Sequence, residues 1–346
     1  NGSTSPNPSV GAVVTQNQKI IGEGYHQKHG EPHAEVNAIN QVGTILDETF
    51  LQVAIYVSLE PCFHFGKTPP CVNLILEKKI PSVHIAFTDP NPKVAHQSIS
   101  LLKNSGVETT VFENETGFSL SKKIQNHFIT QGLQATLKPF FTNIRLLRPF
   151  IILKWAESED NFIGKEYETT PLSNLFTKRL SHKWRSECDA IMVGTTTAEV
   201  DNPELTNRHY FGKSPVRVVL DRHNRLPQSH NIFNQKAKTF VFVEKKSAPQ
   251  IQENVETFEI DFSTNIIQVV LKILFEKKVG ILFVEGGAKL LNSFIETGLW
   301  DEARVFKTPI LLQKGVAAPI LKNAHLEKKE QLDDNWVHFY RKKNSE

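Results

Sequence analysis

The 346-residue chain carries 40 lysines and arginines against 37 aspartates and glutamates, a formal charge of +3, with 39% apolar and 22% charged residues. That near balance excludes a general electrostatic attraction to nucleic acid or to an anionic membrane, and no apolar run approaches the ~18 residues that span a bilayer. The length exceeds what one core comfortably serves and predicts about two globular domains.

The opening residues, NGSTSPNP, hold neither the positive nor the apolar stretch of a secretory signal, and three cysteines are an odd number for a disulfide framework. A cytoplasmic, reducing setting with metal-bound or buried thiols is expected. From residue 8 to 25 apolar and polar positions alternate around Gln16-Asn17-Gln18, which predicts a hairpin from SVGAVV to KIIGEGY. A helix follows from about Pro32-His33, then a buried strand at AIYVSL, residues 54–59. Next come an apolar-periodic stretch at CVNLILEKK, a strand at SVHIAF, a helix at VAHQSISLLKNSG closed by Gly106, and a strand at VETTVF. An irregular segment from Lys138 to Pro149 separates this α/β half from a second one that restarts at PFIILKWA. The boundary falls near residues 140–148, and the domains are set at 1–143 and 144–346.

The first chemical motif is His33-Ala34-Glu35, followed by Pro61-Cys62 and Pro69-Pro70-Cys71. Zinc takes imidazole and thiolate ligands readily, and three protein ligands leave its fourth tetrahedral place for water, the arrangement of a catalytic site. Glu35, two residues past His33, can reach that place without ligating the metal, so it is the candidate catalytic proton carrier. Each cysteine is expected at a helix start, where the dipole favours a thiolate. Zinc deaminases carry such an H-x-E followed by P-C-x-x-C. Here the spacer is FHFGKTPP, long enough to bring substrate contacts such as His64 and Lys67 beside the metal. Cys188 reads as a core thiol, and His26, His29 and His127 as surface or scaffold residues.

PNPSVGAVV (residues 6–14), GEGYH, GEPHAEVNAI, YVSLEPCFHFGKTPPC and DPNP (residues 89–92) together resemble the bifunctional riboflavin-biosynthesis deaminase/reductases over essentially the whole chain. The resemblance implies a cytidine-deaminase-like three-layer αβα domain, which hydrolyses the 2-amino group of a diaminopyrimidinone bearing a ribosylamino 5′-phosphate. It implies next a dihydrofolate-reductase-like α/β domain, which uses NADPH to reduce the ribosyl group to ribityl. Small-molecule phosphorylated pyrimidines are then the partners, in a homo-oligomer, with no nucleic acid and no membrane.

In the second half the residues themselves say less. Val279 opens a buried strand, then Glu285-Gly286-Gly287 and an amphipathic helix, a place where phosphate oxygens can approach backbone N–H groups. A tight turn without ligand is the equal alternative, and no G-x-G-x-x-G is present. The resemblance places Ala156, Thr197, Asp201, Gly286 and Gly287 near NADPH, and Arg185, Leu205, Arg208 and Glu285 near the ribose phosphate. Planar arginine forks suit phosphate, although a solvated surface is the plainer reading of both. The chain departs from the family at Asn161, where S-x-D-G is common, and at Pro171-Leu172-Ser173, where Trp-Ile-Thr is common. Lys93-Val94-Ala95-His96-Gln97 replaces a glycine-rich stretch, and the family's helix ahead of Pro6-Asn7-Pro8 has no counterpart. Two other functions compete: a nucleic-acid deaminase, which needs a basic groove with aromatic stacking, and a non-enzymatic zinc-stabilised binding module, which needs a fourth protein ligand.

Overall fold

A computed structural model describes residues 4–42, 52–65, 69–92, 94–112, 120–245 and 252–343. The chain divides into two compact units between Leu147 and Arg148. The first contains β1 (Gly11–Gln16), β2 (Lys19–Tyr25), α1 (Ala34–Val42), β3 (Val53–Val57), α2 (Cys71–Glu77), β4 (Ser82–Ile85), α3 (Gln97–Asn104), β5 (Glu108–Val111) and α4 (Leu120–Leu146). Its sheet runs β2-β1-β3-β4-β5, with β1 antiparallel to both neighbours and β3, β4 and β5 parallel. The expected hairpin turns at Asn17 and Gln18, whose φ values of 49° and 63° give the twist that two-residue hairpin loops favour.

Alternation puts Ala12, Val14, Ile55, Val57, Val83 and Ile85 on one face, where they pack against Ala38 and Ile39 of α1, Val72 and Ile75 of α2, and Ile99 and Leu102 of α3. Gly24 lets α1 lie directly on β2: a Cβ there would sit 2.5 Å from the Ala38 nitrogen and 2.6 Å from the Ala34 carbonyl oxygen. The start of α1, with His33 and Glu35, is thereby fixed to the sheet. His96 takes a left-handed φ of 64° in the stretch that replaces the family's glycines.

The irregular segment expected from Lys138 to Pro149 is instead the end of α4, which runs through Pro139 to Leu146. Proline inside a helix removes one hydrogen bond and crowds the preceding turn, at a cost of about 3 kcal/mol. Burial of Leu137 and Phe141 against Leu59 and Phe87 outweighs it.

The second unit contains β6 (Phe150–Glu157), β7 (Phe162–Gly164), α5 (Leu175–Glu187), β8 (Ala190–Gly194), α6 (Thr195–Asp201), β9 (Val216–Leu220), β10 (Thr239–Val243) and β11 (Val255–Glu259). It continues with α7 (Ile266–Glu276), β12 (Ile281–Val284), α8 (Ala288–Glu296), β13 (Glu302–Lys307), β14 (Val316–Ala317), β15 (Ala324–Leu332) and β16 (Asn335–Lys342). Its large sheet is ordered β11-β10-β9-β8-β12-β6-β13-β16-β15, parallel from β11 to β13 and antiparallel beyond. Strands such as AIMVG and TFVFV are apolar at nearly every position because both sheet faces are covered.

From β8 the chain moves to β9 on one side, whereas from β12 it crosses to β13 on the other. The crevice beyond the carboxyl ends of β8 and β12 is therefore the topological switch point, where parallel sheets bind ligands. Asn161 sits at φ 62° in the turn after β6, held by the Ser158 hydroxyl, which accepts from the Phe162 N–H at 2.9 Å. Asparagine is among the residues that take this left-handed place most readily, so the turn survives loss of the family's glycine.

Candidate active sites

His33 immediately precedes α1, and its Nδ1 lies 3.5 Å from the Cys62 sulfur and 3.4 Å from the Cys71 sulfur. A zinc tetrahedron with arms of about 2.0–2.1 Å to nitrogen and about 2.3 Å to sulfur has an N···S edge of about 3.6 Å, so the three donors fit that ion. Among the described residues this trio is the grouping of side chains able to hold a metal, and Glu35 is outside it.

Cys71 opens α2 as expected, whereas Cys62 lies in the loop after β3 rather than at a helix start. The long spacer explains the difference: Cys62 folds back over α2, and its sulfur accepts the Cys71 N–H at 3.2 Å while its carbonyl accepts the Val72 N–H at 3.3 Å. The positive end of α2 thus serves both cysteines. Hydrogen bonding from the Cys71 thiol brings Cys62 down to about 4, and the same shared proton pushes Cys71 up. Glu35, 3% exposed in the first turn of α1, is pushed up to about 7 by burial.

A cleft of about 350 Å³ opens over these groups. Asn7, His26, Glu60, His64, Asp89 and Asn91 line it together with His33, Glu35 and Cys62. Lys67 lies outside the described residues, as does Lys93, and nothing is described of the His127 side chain. His26 is no surface residue: it is 5% exposed, its Nδ1 meets the Pro32 carbonyl at 3.1 Å, and its Nε2 meets the Asn7 amide at 3.2 Å. Buried Glu60 accepts the Asp89 and His96 N–H groups at 3.2 and 3.1 Å and the Ser98 hydroxyl at 2.8 Å. It holds the loop that carries Asp89 and Asn91 to the cleft. Their signal in the sequence was the P-N-P and D-P-N-P strings.

In the second unit the expected residues gather around the switch point. Glu285, Gly286 and Gly287 join β12 to α8, Thr197 and Asp201 belong to α6, and Ala156 lies near the end of β6. Arg185 of α5 forms a fork on Glu285, with Nε–Oε1 at 2.8 Å and Nη2–Oε2 at 2.7 Å, and its Nη1 donates to the Thr206 carbonyl at 3.2 Å. Burial pushes Glu285 up, but Arg185, Lys154 and His182 more than reverse that and bring it down to about 2. Leu205 is 2% exposed at φ 54°, and Arg208, the more exposed cation, pairs with Glu204 at 2.7 Å. Asp201 accepts from Thr169 at 3.0 Å, and burial raises its pKa. Cys188 is a core thiol, 1% exposed, whose pKa burial pushes up.

Residues 149–336 match the RibD C-terminal domain, and residues 1–87 match the cytidine and deoxycytidylate deaminase zinc-binding region. The riboflavin biosynthesis protein RibD of Aquifex aeolicus is 35% identical over 99% of this chain and 94% of its own length. That of Bacillus amyloliquefaciens is also 35% identical, over 92% and 83%. The chain belongs to the RibD family. A solved diaminohydroxyphosphoribosylaminopyrimidine deaminase/5-amino-6-(5-phosphoribosylamino)uracil reductase from Thermotoga maritima superposes with TM-score 0.85 at 30% identity, covering 99% of this chain and 94% of that one. RibD of Acinetobacter baumannii gives 0.83 at 28% identity, over 98% and 93%. As a RibD enzyme the chain is a bifunctional hydrolytic deaminase and NADP-dependent reductase of riboflavin biosynthesis, with zinc and NADPH as cofactors. Both units have the fold class expected from the sequence.

In this RibD chain the glycines after Glu285 have a packing reason of their own. A Cβ on Gly286 would lie 2.6 Å from the Val193 Cα, and one on Gly287, at φ 35°, would lie 2.9 Å from the Thr197 Oγ1. The β12–α8 turn rests on the β8–α6 turn, and this close approach shapes the crevice at the switch point. Gly286→Ala is expected to cost about 1–3 kcal/mol and to raise KM for NADPH, which denaturant unfolding and steady-state kinetics will measure. Lys154 was missed in the sequence: it interrupts the apolar strand β6, its ammonium lies 5.2 Å from the Phe306 ring centroid, and burial lowers its pKa. A lysine inside ILKWA was the available signal.

Proposed function

We propose that His33, Cys62 and Cys71 hold the zinc ion of the deaminase and that Glu35 carries its protons, in a domain spanning residues 1–143. Residues 144–346 then form the reductase domain. The carrying observation is one imidazole and two sulfurs converging at 3.4–3.5 Å beside a buried carboxylate, at the floor of a cleft. Zinc, when bound, supplies Lewis acidity and a water that ionises near neutrality. Glu35, its carboxyl pushed up to about 7 by burial, takes a proton from the attacking water, passes it to the ring nitrogen of the substrate, then takes the proton of the hydroxyl added to the ring carbon and delivers it to the departing amine. Asn7, Asp89 and Asn91 offer donors and acceptors for the edge of a diaminopyrimidinone bearing a ribosylamino 5′-phosphate.

Ala156, Thr197, Asp201, Gly286 and Gly287 border NADPH, which supplies hydride when bound. Arg185, Leu205, Arg208 and Glu285 border the ribose phosphate, Arg208 as its exposed cation and the Arg185–Glu285 pair as the fixed floor. The substrates are phosphorylated pyrimidines rather than nucleic acid or membrane, a reading supported by the charge of +3 and by described helices too short or too polar to cross a bilayer. The enzyme works as a cytoplasmic homo-oligomer.

The test follows ammonia release and NADPH oxidation separately with the ribosylaminopyrimidine phosphate. Both are expected, and a zinc chelator is expected to stop ammonia release while NADPH oxidation on deaminated substrate continues. Ammonia without NADPH consumption would sink the reductase reading, and deamination indifferent to chelation would sink the metal reading.

A further inference from the structure

The segment carrying Leu205 to Arg208 belongs to no helix or strand, so its shape depends on what grips it. Three successive backbone groups are gripped by side chains. The Thr206 carbonyl accepts from Arg185 at 3.2 Å, the Asn207 N–H donates to the Ser214 hydroxyl at 3.1 Å, and the Arg208 N–H donates to His182 Nδ1 at 3.0 Å. His182 lies on α5 three residues before Arg185, so one face of that helix reaches both ends of the segment. It is 3% exposed and meets the His209 ring edge-on at 4.6 Å, which fixes the orientation of its own ring.

We propose that His182 is a positioning residue of the reductase: as an obligate hydrogen-bond acceptor, it fixes the backbone at Arg208 and thereby aims the guanidinium at the substrate's phosphate. The proposal rests on Arg208 as the phosphate ligand. An imidazole can accept at Nδ1 only while that nitrogen is unprotonated. Burial, reinforced by Arg185, His209 and Arg208 and opposed by Glu285, holds the pKa of His182 at about 4, so the acceptor is present throughout the neutral range. Glu204 grips the guanidinium and His182 the backbone of the same residue, so the direction of Arg208 is set before any ligand arrives.

The test compares kcat/KM for NADPH-dependent reduction of the phosphorylated substrate with that for its dephosphorylated form, in wild type and in His182→Asn, His182→Gln, His182→Leu and Arg208→Ala. The asparagine oxygen stands near the place of Nδ1, while glutamine carries its amide beyond it. The preference for phosphate is expected to fall about tenfold in the leucine and glutamine variants, through KM rather than kcat, and to be largely restored in the asparagine variant, because an unpaired buried N–H costs roughly that factor. Arg208→Ala is expected to abolish the preference. Fluorescence of the four tryptophans, which all lie in the second unit, reports whether that unit is folded, and the glutamine variant keeps the test decisive if the leucine variant does not fold. Should Arg208→Ala keep the phosphate preference, the phosphate reading and this proposal fall together. If Arg208→Ala loses it while the His182 variants keep the wild-type preference, whether kcat/KM falls equally for both substrates or for neither, the role of His182 alone is overturned.

Discussion

Replacing Glu35 by glutamine is expected to lower deamination by about 10²–10⁴-fold, the range that a positioned acid/base supplies, while the protein keeps its zinc. Glutamine preserves the length of the side chain and can still hydrogen-bond, but it cannot take a proton and hand it on. Glu35 lies outside the trio of donors, so the metal content of the purified variant should match that of wild type. NADPH oxidation on substrate already deaminated should be unaltered, which gives each preparation an internal control. Undiminished ammonia release from a zinc-replete Glu35→Gln protein would refute the assigned role.

The candidate metal centre was legible because its chemistry needs particular atoms at particular intervals. His33 and Glu35 had to flank one helix start, and the two cysteines followed a strand behind prolines. What could not be read was where Cys62 sits: it meets the start of α2 through the N–H groups of Cys71 and Val72, and a helix-start rule for each cysteine misplaces it. Local preference also failed at Pro139, where burial of Leu137 and Phe141 overrides the proline. His26 illustrates a different limit, since a single histidine carries no pattern and only folding brings it to Asn7 and Pro32.

In the second unit the alternation of strands and helices was plain. The site was not, because its central pair, Arg185 and Glu285, joins positions a hundred apart in the chain. Family resemblance supplied those residues; geometry supplied the fact that they hold each other. The departures at Asn161 and His96 are likewise understood only from the backbone, since both occupy left-handed conformations that glycine would otherwise fill.

Arg185→Met is expected to destabilise the second unit by about 3–5 kcal/mol at neutral pH, because it leaves the Glu285 carboxylate buried without its partner and the Thr206 carbonyl without its donor. All four tryptophans, Trp155, Trp184, Trp300 and Trp336, lie in that unit, so their fluorescence during urea unfolding reports it selectively. Arg185→Met combined with Glu285→Leu should recover part of the loss, since both charges are then gone from sites 13% and 8% exposed while buried Lys154 loses the carboxylate that favours its charge, and reductase activity should stay low.

The pH dependence separates this account from a simple packing defect. In wild type the Glu285 carboxyl is held at about 2, below the usual value near 4.3, so its contribution is complete above about pH 4.3 and disappears as pH falls through about 2. Without Arg185, burial dominates and raises the carboxyl, so the variant gains stability as acid neutralises it. The gap between wild type and Arg185→Met should therefore be widest near pH 7 and narrow steadily below pH 5. A gap independent of pH would show that lost packing, rather than an uncompensated charge, is what the substitution removes.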